Sequence, residues 1–199
     1  MKVLIVNNKI RINQQKNLAA FFKSRDVDSV ELSHMELEGV NDSEYSAICL
    51  SGTGRPVIDS ERYYDSEIEL IRTTSLPVLG ICGGFHLMAT AYGGTLRKMQ
   101  VPIYGRQNVE LASEEALFVD LSKTATFLSK HRYCLDDISP QIKVIARHKE
   151  TKCIYGIKIL DREQYGFQFH PERRNDGTIL LDSFLQIAKA KKAGVASEQ

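Results

Sequence analysis

The residues best suited to chemistry lie in three short stretches far apart in the chain. In "PVLGICGGFHLMATAYGG", residues 77–94, a single cysteine, Cys82, stands between an apolar run and a pair of glycines. A chain that leaves a buried strand and enters a helix through Cys82, Gly83 and Gly84 must turn sharply, and glycine tolerates the close backbone approach this requires. Such a turn lifts the cysteine above the strand end. There the free amides and positive potential of the next helix N-terminus favour thiolate over thiol. In "GFQFHPER", residues 166–173, a strand ends in His170 and Glu172 follows two residues later. Alternation puts both on one side of an extended chain, so a carboxylate can orient the imidazole while its other nitrogen faces a thiol. In "SGTGRP", residues 51–56, glycines at another strand end can aim backbone N–H groups at a developing oxyanion. Each stretch alone also has a structural reading, because strand-end cysteines and histidines are commonly buried packing residues.

The elements that must position these residues follow from periodicity. Residues 3–7 and 47–50 read as buried strands, 29–32 as a short strand, and 78–82 as a third buried strand entered through Pro77. Helices are expected at 13–24, where Leu18, Ala19, Phe21 and Phe22 cluster on one face, and at about 60–72. Alternating strands and helices imply right-handed crossovers and an α/β fold, with a mostly parallel central sheet flanked by helices on both faces. After Gly94 the texture changes. Residues 109–111, 143–146, 154–159 and 166–169 are strand-like pieces between charged turns, so antiparallel strands are expected in the second half. A helix over 176–192 closes the domain, with Ile179, Leu180, Phe184 and Ile187 toward the core. Residues 1–192 are read as a single domain and 193–199 as a flexible, solvated tail.

Composition narrows the class of partner. With 43% hydrophobic and 26% charged residues and a net charge of +1, there is no global reason to expect nucleic acid or an anionic membrane. The apolar run 3–6 is too short for an export signal or a membrane span. Cys49, Cys82, Cys134 and Cys153 form no CxxC pair, which argues against a zinc ribbon or disulfide framework and points to a reducing cytoplasm. Cys49, Cys134 and Cys153 are read as packing residues, and His34 and His148 as surface or strand-end residues. Tyr63 and Tyr64 fit either packing or a partner interface.

Taken together, the three motifs, in order and over nearly the whole chain, resemble the class I, or triad-type, glutamine amidotransferases, whose core is flavodoxin-like. The resemblance implies that Cys82 is the nucleophile, His170 the general base and acid, and Glu172 the residue that orients it. It implies an oxyanion hole from the backbone amides of Gly54 and Gly83, with Thr53 as the alternative to Gly54. It places Gly52, Thr53, His86, His131, Arg132 and Tyr133 around the substrate, with "SKHRYC" around His131 as a loop that holds the amino-acid end of glutamine. It also implies hydrolysis of the glutamine side-chain amide through a γ-glutamyl thioester, with no metal or organic cofactor, and transfer of ammonia to a separate synthetase subunit.

Among stand-alone members, "YGRQNVEL", "VIARHKE" and "IYGIKIL" look most like the glutaminase subunit of split GMP synthases. One position departs from the family pattern. Where glutamine usually stands four residues after the cysteine, this chain has His86, which lacks the amide's paired donor and acceptor. Two alternatives follow: a γ-glutamyl hydrolase acting on another γ-glutamyl substrate, or a catalytically weakened regulatory subunit.

Overall fold

The computed structural model describes residues 1–8, 16–173 and 176–197. Among these, nine strands form one sheet in the order β2-β1-β3-β4-β9-β8-β7-β5-β6. The first five neighbours, β2 (Asp28–Ser33), β1 (Lys2–Asn7), β3 (Ala47–Leu50), β4 (Val78–Ile81) and β9 (Gln164–Phe167), are parallel. The remaining four, β8 (Ile154–Ile159), β7 (Ile142–His148), β5 (Thr95–Leu111) and β6 (Thr124–Asp137), run antiparallel. The expected antiparallel additions are therefore continuous with the parallel half in one mixed sheet.

Strand residues alternate between two apolar layers. Val3, Ile5, Ala47, Cys49, Leu79 and Ile81 face one side, together with Leu18 and Phe22 of α1 (Lys16–Lys23) and Leu180, Leu181, Phe184 and Leu185 of α4 (Gly177–Ser197). Leu4, Val6, Ile48, Leu50 and Val78 face the other, under α2 (Asp65–Thr73) and α3 (Gly83–Ala91). Burial on both faces is what makes these short strands read as unbroken apolar runs. Each buried aliphatic or aromatic side chain contributes roughly 1.5–3 kcal/mol relative to exposure.

Several expectations shift in detail. The start of the first helix, 13–15, lies outside the described residues. The second begins as a 3₁₀ turn, Glu61–Tyr64, before α2. In α4, Ile179 is partly exposed, and Leu181 and Leu185 take the core positions beside Leu180 and Phe184. That helix also continues past Lys192 to Ser197, because an alanine-rich segment keeps helical backbone where a tail was expected.

The largest difference is the ribbon β5–β6. The "SKHRYC" segment, expected as a loop, is the middle of strand β6, where His131 pairs with Ile103 and Tyr133 with Lys98. Residues 99–102 of β5 bulge out between those pairs. Although β6 is last in the strand order, the Leu128 carbonyl accepts the His170 amide at 2.8 Å, and Phe127 stacks on Phe169 with ring centroids 3.8 Å apart. The sheet therefore curls until its antiparallel edge lies across the carboxyl ends of its parallel strands.

Candidate active site

The carboxyl ends of β1, β3, β4 and β9 lie side by side, and each delivers part of one site. β4 ends at Ile81, and Cys82 follows with φ 53° and ψ −95° as the N-cap of α3. A non-glycine residue in this region is strained, and the packing around the turn must hold it there. Two glycines make the turn possible. A Cβ on Gly80 would lie 2.5 Å from the Met88 sulfur and 2.7 Å from the Gly84 carbonyl oxygen, so α3 can cross β4 only where side chains are missing. A Cβ on Gly83 would lie 2.2 Å from the Thr53 nitrogen.

Beyond β9 the chain carries His170 to the same place. The Nδ1 of His170 lies 2.8 Å from Oε1 of Glu172, and the ring interacts with the Cys82 side chain. Burial works against the imidazolium, but the interactions with Cys82 and Glu172 outweigh it and raise the His170 pKa to about 10. Gly52 lies under both residues, and a Cβ there would be 3.6 Å from the Cys82 Cβ and from the His170 Cε1. The cysteine, histidine and glutamate motifs are thus assembled as their types suggested.

The 51–56 loop corrects one residue. The Gly54 amide donates to the Asn8 carbonyl at 3.0 Å, so it is committed away from the cysteine. It is Thr53 whose backbone nitrogen lies against Gly83. The Gly83 amide opens α3 and has no acceptor within its own helix. With the Gly54 amide engaged, Thr53, the alternative that the sequence left open, is the loop residue whose backbone nitrogen adjoins Gly83.

A cavity of about 200 Å³ opens in front of Cys82, lined by Thr53, Arg55, His86, His131, Arg132 and Tyr133 among others. Of the residues expected around a substrate, Gly52 alone lies outside this lining. The histidines are not free ligands. His131 is buried, with Nδ1 donating to the Tyr133 carbonyl and Nε2 accepting from the Tyr155 hydroxyl, each at 2.9 Å. His86 is also buried, and its Nε2 lies 2.9 Å from Oε1 of Gln168. Burial lowers both pKa values to about 4, so both rings are neutral at pH 7.

Three partners were not singled out from sequence. Gln168, fully buried, places its Nε2 3.9 Å from the Cys82 sulfur. Asn8 grips the 51–56 loop, and Glu67 of α2 accepts from Asn8 at 3.0 Å. Gln168 precedes His170 by two, but the backbone bends at Gln168 and Phe169, so alternation alone does not reveal it.

The remaining residues fall into packing roles, with two corrections. His34 is buried, bonded to the Asn7 carbonyl at 3.4 Å and tilted against Tyr63 and Tyr64. His148 is buried too, accepting from the Thr151 amide and donating to Gln107. Neither is a surface residue, but both stand at strand ends as the other half of the reading had it: His34 directly follows β2, and His148 is the last residue of β7. Tyr64 supports the 51–56 loop by bonding the Thr53 side chain and the Arg55 carbonyl. Cys49 and Cys134 are buried and unbridged, and burial pushes the Cys49 thiol far up. No described helix is long and apolar enough to cross a membrane.

A strained cysteine between a strand and a helix, faced by a His-Glu pair on a curled α/β sheet, defines a cysteine-dependent acyl-transfer enzyme. The model of the family "Glutamine amidotransferase class-I" matches residues 5–187, and the chain belongs to that family. Its relatives are more specific. It is 28% identical to a glutamine-hydrolyzing GMP synthase subunit of Methanobrevibacter smithii over 195 residues, which is 96% of this chain and 98% of that protein. It is 30% identical over 158 residues to the GMP synthase of Campylobacter jejuni subsp. doylei, covering 78% of this chain but 30% of that longer protein. A crystal structure of a candidate GMP synthase subunit from Thermoplasma acidophilum shares the fold with TM-score 0.84 and 24% identity, over 97% of this chain and 96% of that one. A glutamine amidotransferase from Thermotoga maritima does so with TM-score 0.75 and 20% identity, over 96% of this chain and 85% of that one.

Proposed function

We propose that this chain is the glutaminase subunit of a two-part GMP synthase, releasing ammonia from glutamine for a separate synthetase subunit in a reducing cytoplasm. The observation that carries the chemistry is the Cys82 elbow facing the His170–Glu172 pair. The end-to-end match to the Methanobrevibacter smithii protein supports the assignment to GMP synthesis.

In this reading the Cys82 proton is already held on His170, whose pKa of about 10 keeps the imidazole charged at neutral pH, and the thiolate attacks the side-chain carboxamide carbon of glutamine. The Gly83 and Thr53 amides receive the oxyanion of the tetrahedral intermediate. The imidazolium, held by Glu172, gives its proton to the departing nitrogen, and ammonia leaves a γ-glutamyl thioester. His170 then takes a proton from water, hydroxide attacks the thioester, and glutamate departs as the Cys82 thiolate is restored.

Two measurements test this. Exposure to a glutamine-mimicking diazoketone, followed by intact-mass analysis, is expected to give one adduct that is absent in Cys82→Ala. Mixing with a GMP-forming synthetase that can use free ammonia is expected to let glutamine replace it. A labelled chain that never supports GMP formation would keep the glutaminase and reject the proposed partner. Turnover of other γ-glutamyl compounds without glutamine would favour the hydrolase.

A further inference from the structure

We infer that Gln168 is a further catalytic residue, an N–H donor to the Cys82 sulfur, and that His86 is the positioning residue that fixes which end of its carboxamide faces that sulfur. The inference rests on the reading of Cys82 as nucleophile.

His86 lies four residues after Cys82, in the first turn of α3, and Gln168 lies two residues before His170, just past β9 where the backbone bends. The distances place them together: Gln168 Nε2 is 3.9 Å from the Cys82 sulfur, and Gln168 Oε1 is 2.9 Å from His86 Nε2. Cys82 is therefore flanked by two side chains from one segment: His170, oriented by Glu172, and Gln168, oriented by His86.

The polarity of the second pair follows from which end of the carboxamide faces His86. The Gln168 Oε1 can only accept, so the His86 Nε2 at 2.9 Å must be the donor. With its oxygen held, the carboxamide presents Nε2 to the Cys82 sulfur at 3.9 Å. The sulfur also lies 3.8 Å from the Lys130 carbonyl oxygen, which can take an S–H but repels a thiolate. Once the proton is on His170, Gln168 adds to the imidazolium as a neighbour that favours negative sulfur. A carboxamide turned the other way would put a second oxygen there. Gln168 is fully buried and His86 nearly so, which leaves little freedom for either to rearrange. This accounts for a histidine in a lining position whose ring nitrogen is spent on the enzyme rather than offered to a ligand.

The test is the rate of Cys82 alkylation by iodoacetamide at pH 7, followed by peptide mass analysis so that other cysteines do not contribute. Iodoacetamide needs no glutamine pocket, so a chain that reacts normally here and ignores glutamine would fail the proposed function and leave this inference standing. Gln168→Leu is expected to slow alkylation on the order of tenfold, as loss of a hydrogen bond to a charged group would. His86→Leu is expected to do the same, whereas His86→Gln, which keeps an N–H donor, stays within about twofold of native. Adding His86→Leu to Gln168→Leu should cost nothing more, because the histidine acts through the amide. Gln168→Glu keeps the acceptor for His86 and puts a carboxylate oxygen where the donor to sulfur stood, so it too must be slow. Native rates in Gln168→Glu, or additive losses in the double variant, would overturn the assignment.

Discussion

The Asn8 carboxamide donates to Glu67 Oε1 at 3.0 Å and to the Ser51 carbonyl at 3.1 Å, while its backbone carbonyl accepts the Gly54 amide. The loop that faces Cys82 thus rests on Asn8, and Asn8 rests on a carboxyl group buried under α2. Burial raises Glu67 to about 8, so it is neutral at pH 7. A carboxyl group with a folded pKa above its unfolded value holds extra protons in the native state. Its charged form therefore costs stability as pH climbs from about 4.5 through about 8, and no further beyond that. Glu67→Gln, which keeps an acceptor for Asn8 and cannot ionise, is expected to gain on the native chain over that window. Urea unfolding at pH 5, 7 and 9 measures it, and a native-to-variant difference that is the same at all three would contradict it.

Gly83 allows the 51–56 loop to touch the start of α3. An alanine Cβ there would lie 2.2 Å from the Thr53 nitrogen and 2.4 Å from its side-chain atoms, so the loop must retreat. Gly83→Ala is expected to lower kcat for glutamine hydrolysis on the order of 10²- to 10³-fold, the effect of removing one oxyanion donor. Cys82 alkylation by iodoacetamide, which forms no oxyanion, should stay within a few-fold of native. Equal losses in both assays would mean that the elbow itself has moved.

His131 ties β6 to β8 beneath the cavity floor. With Nδ1–H given to the Tyr133 carbonyl, its Nε2 depends on the Tyr155 hydroxyl. Tyr155→Phe removes the donor and leaves a buried acceptor unpaired, which costs about 1–3 kcal/mol. The expected result is a lower denaturation midpoint with an unchanged slope, and no change in either would show that water replaces the hydroxyl.

The central parallel strands were legible because they are buried on both faces and appear as apolar runs, down to residues 47–50, and β8 of the antiparallel half, 154–159, was legible for the same reason. The ribbon was not. The first part of β5 is exposed or half-exposed on both faces, so no alternation marks it. In β6 the inward positions are Ala125, Phe127, Ser129 and His131, and the two polar members disguise a period of two. The triad could be read because a thiol, an imidazole and a carboxylate carry their chemistry in their types. Gln168, Asn8 and Glu67 act only through the partners that folding gives them. The choice between Thr53 and Gly54 likewise depended on which amide Asn8 captures.

His170 and Cys82 should report on each other. The imidazole keeps a pKa near 10 against the pull of burial, because Cys82 and Glu172 both favour its charged form. A histidine raised in this way adds stability that is complete below about 6.5 and is lost as pH rises through about 10. Cys82→Ala removes one of the two partners and leaves Glu172 in place. The His170 midpoint is therefore expected to fall, and the stability it provides to end at a lower pH. NMR titration of the imidazole Cε1–H in native and variant chains measures the midpoint directly. A variant that titrates where the native chain does would mean that Glu172 alone holds the proton, and that the Cys82 side chain contributes nothing to the charge on its base.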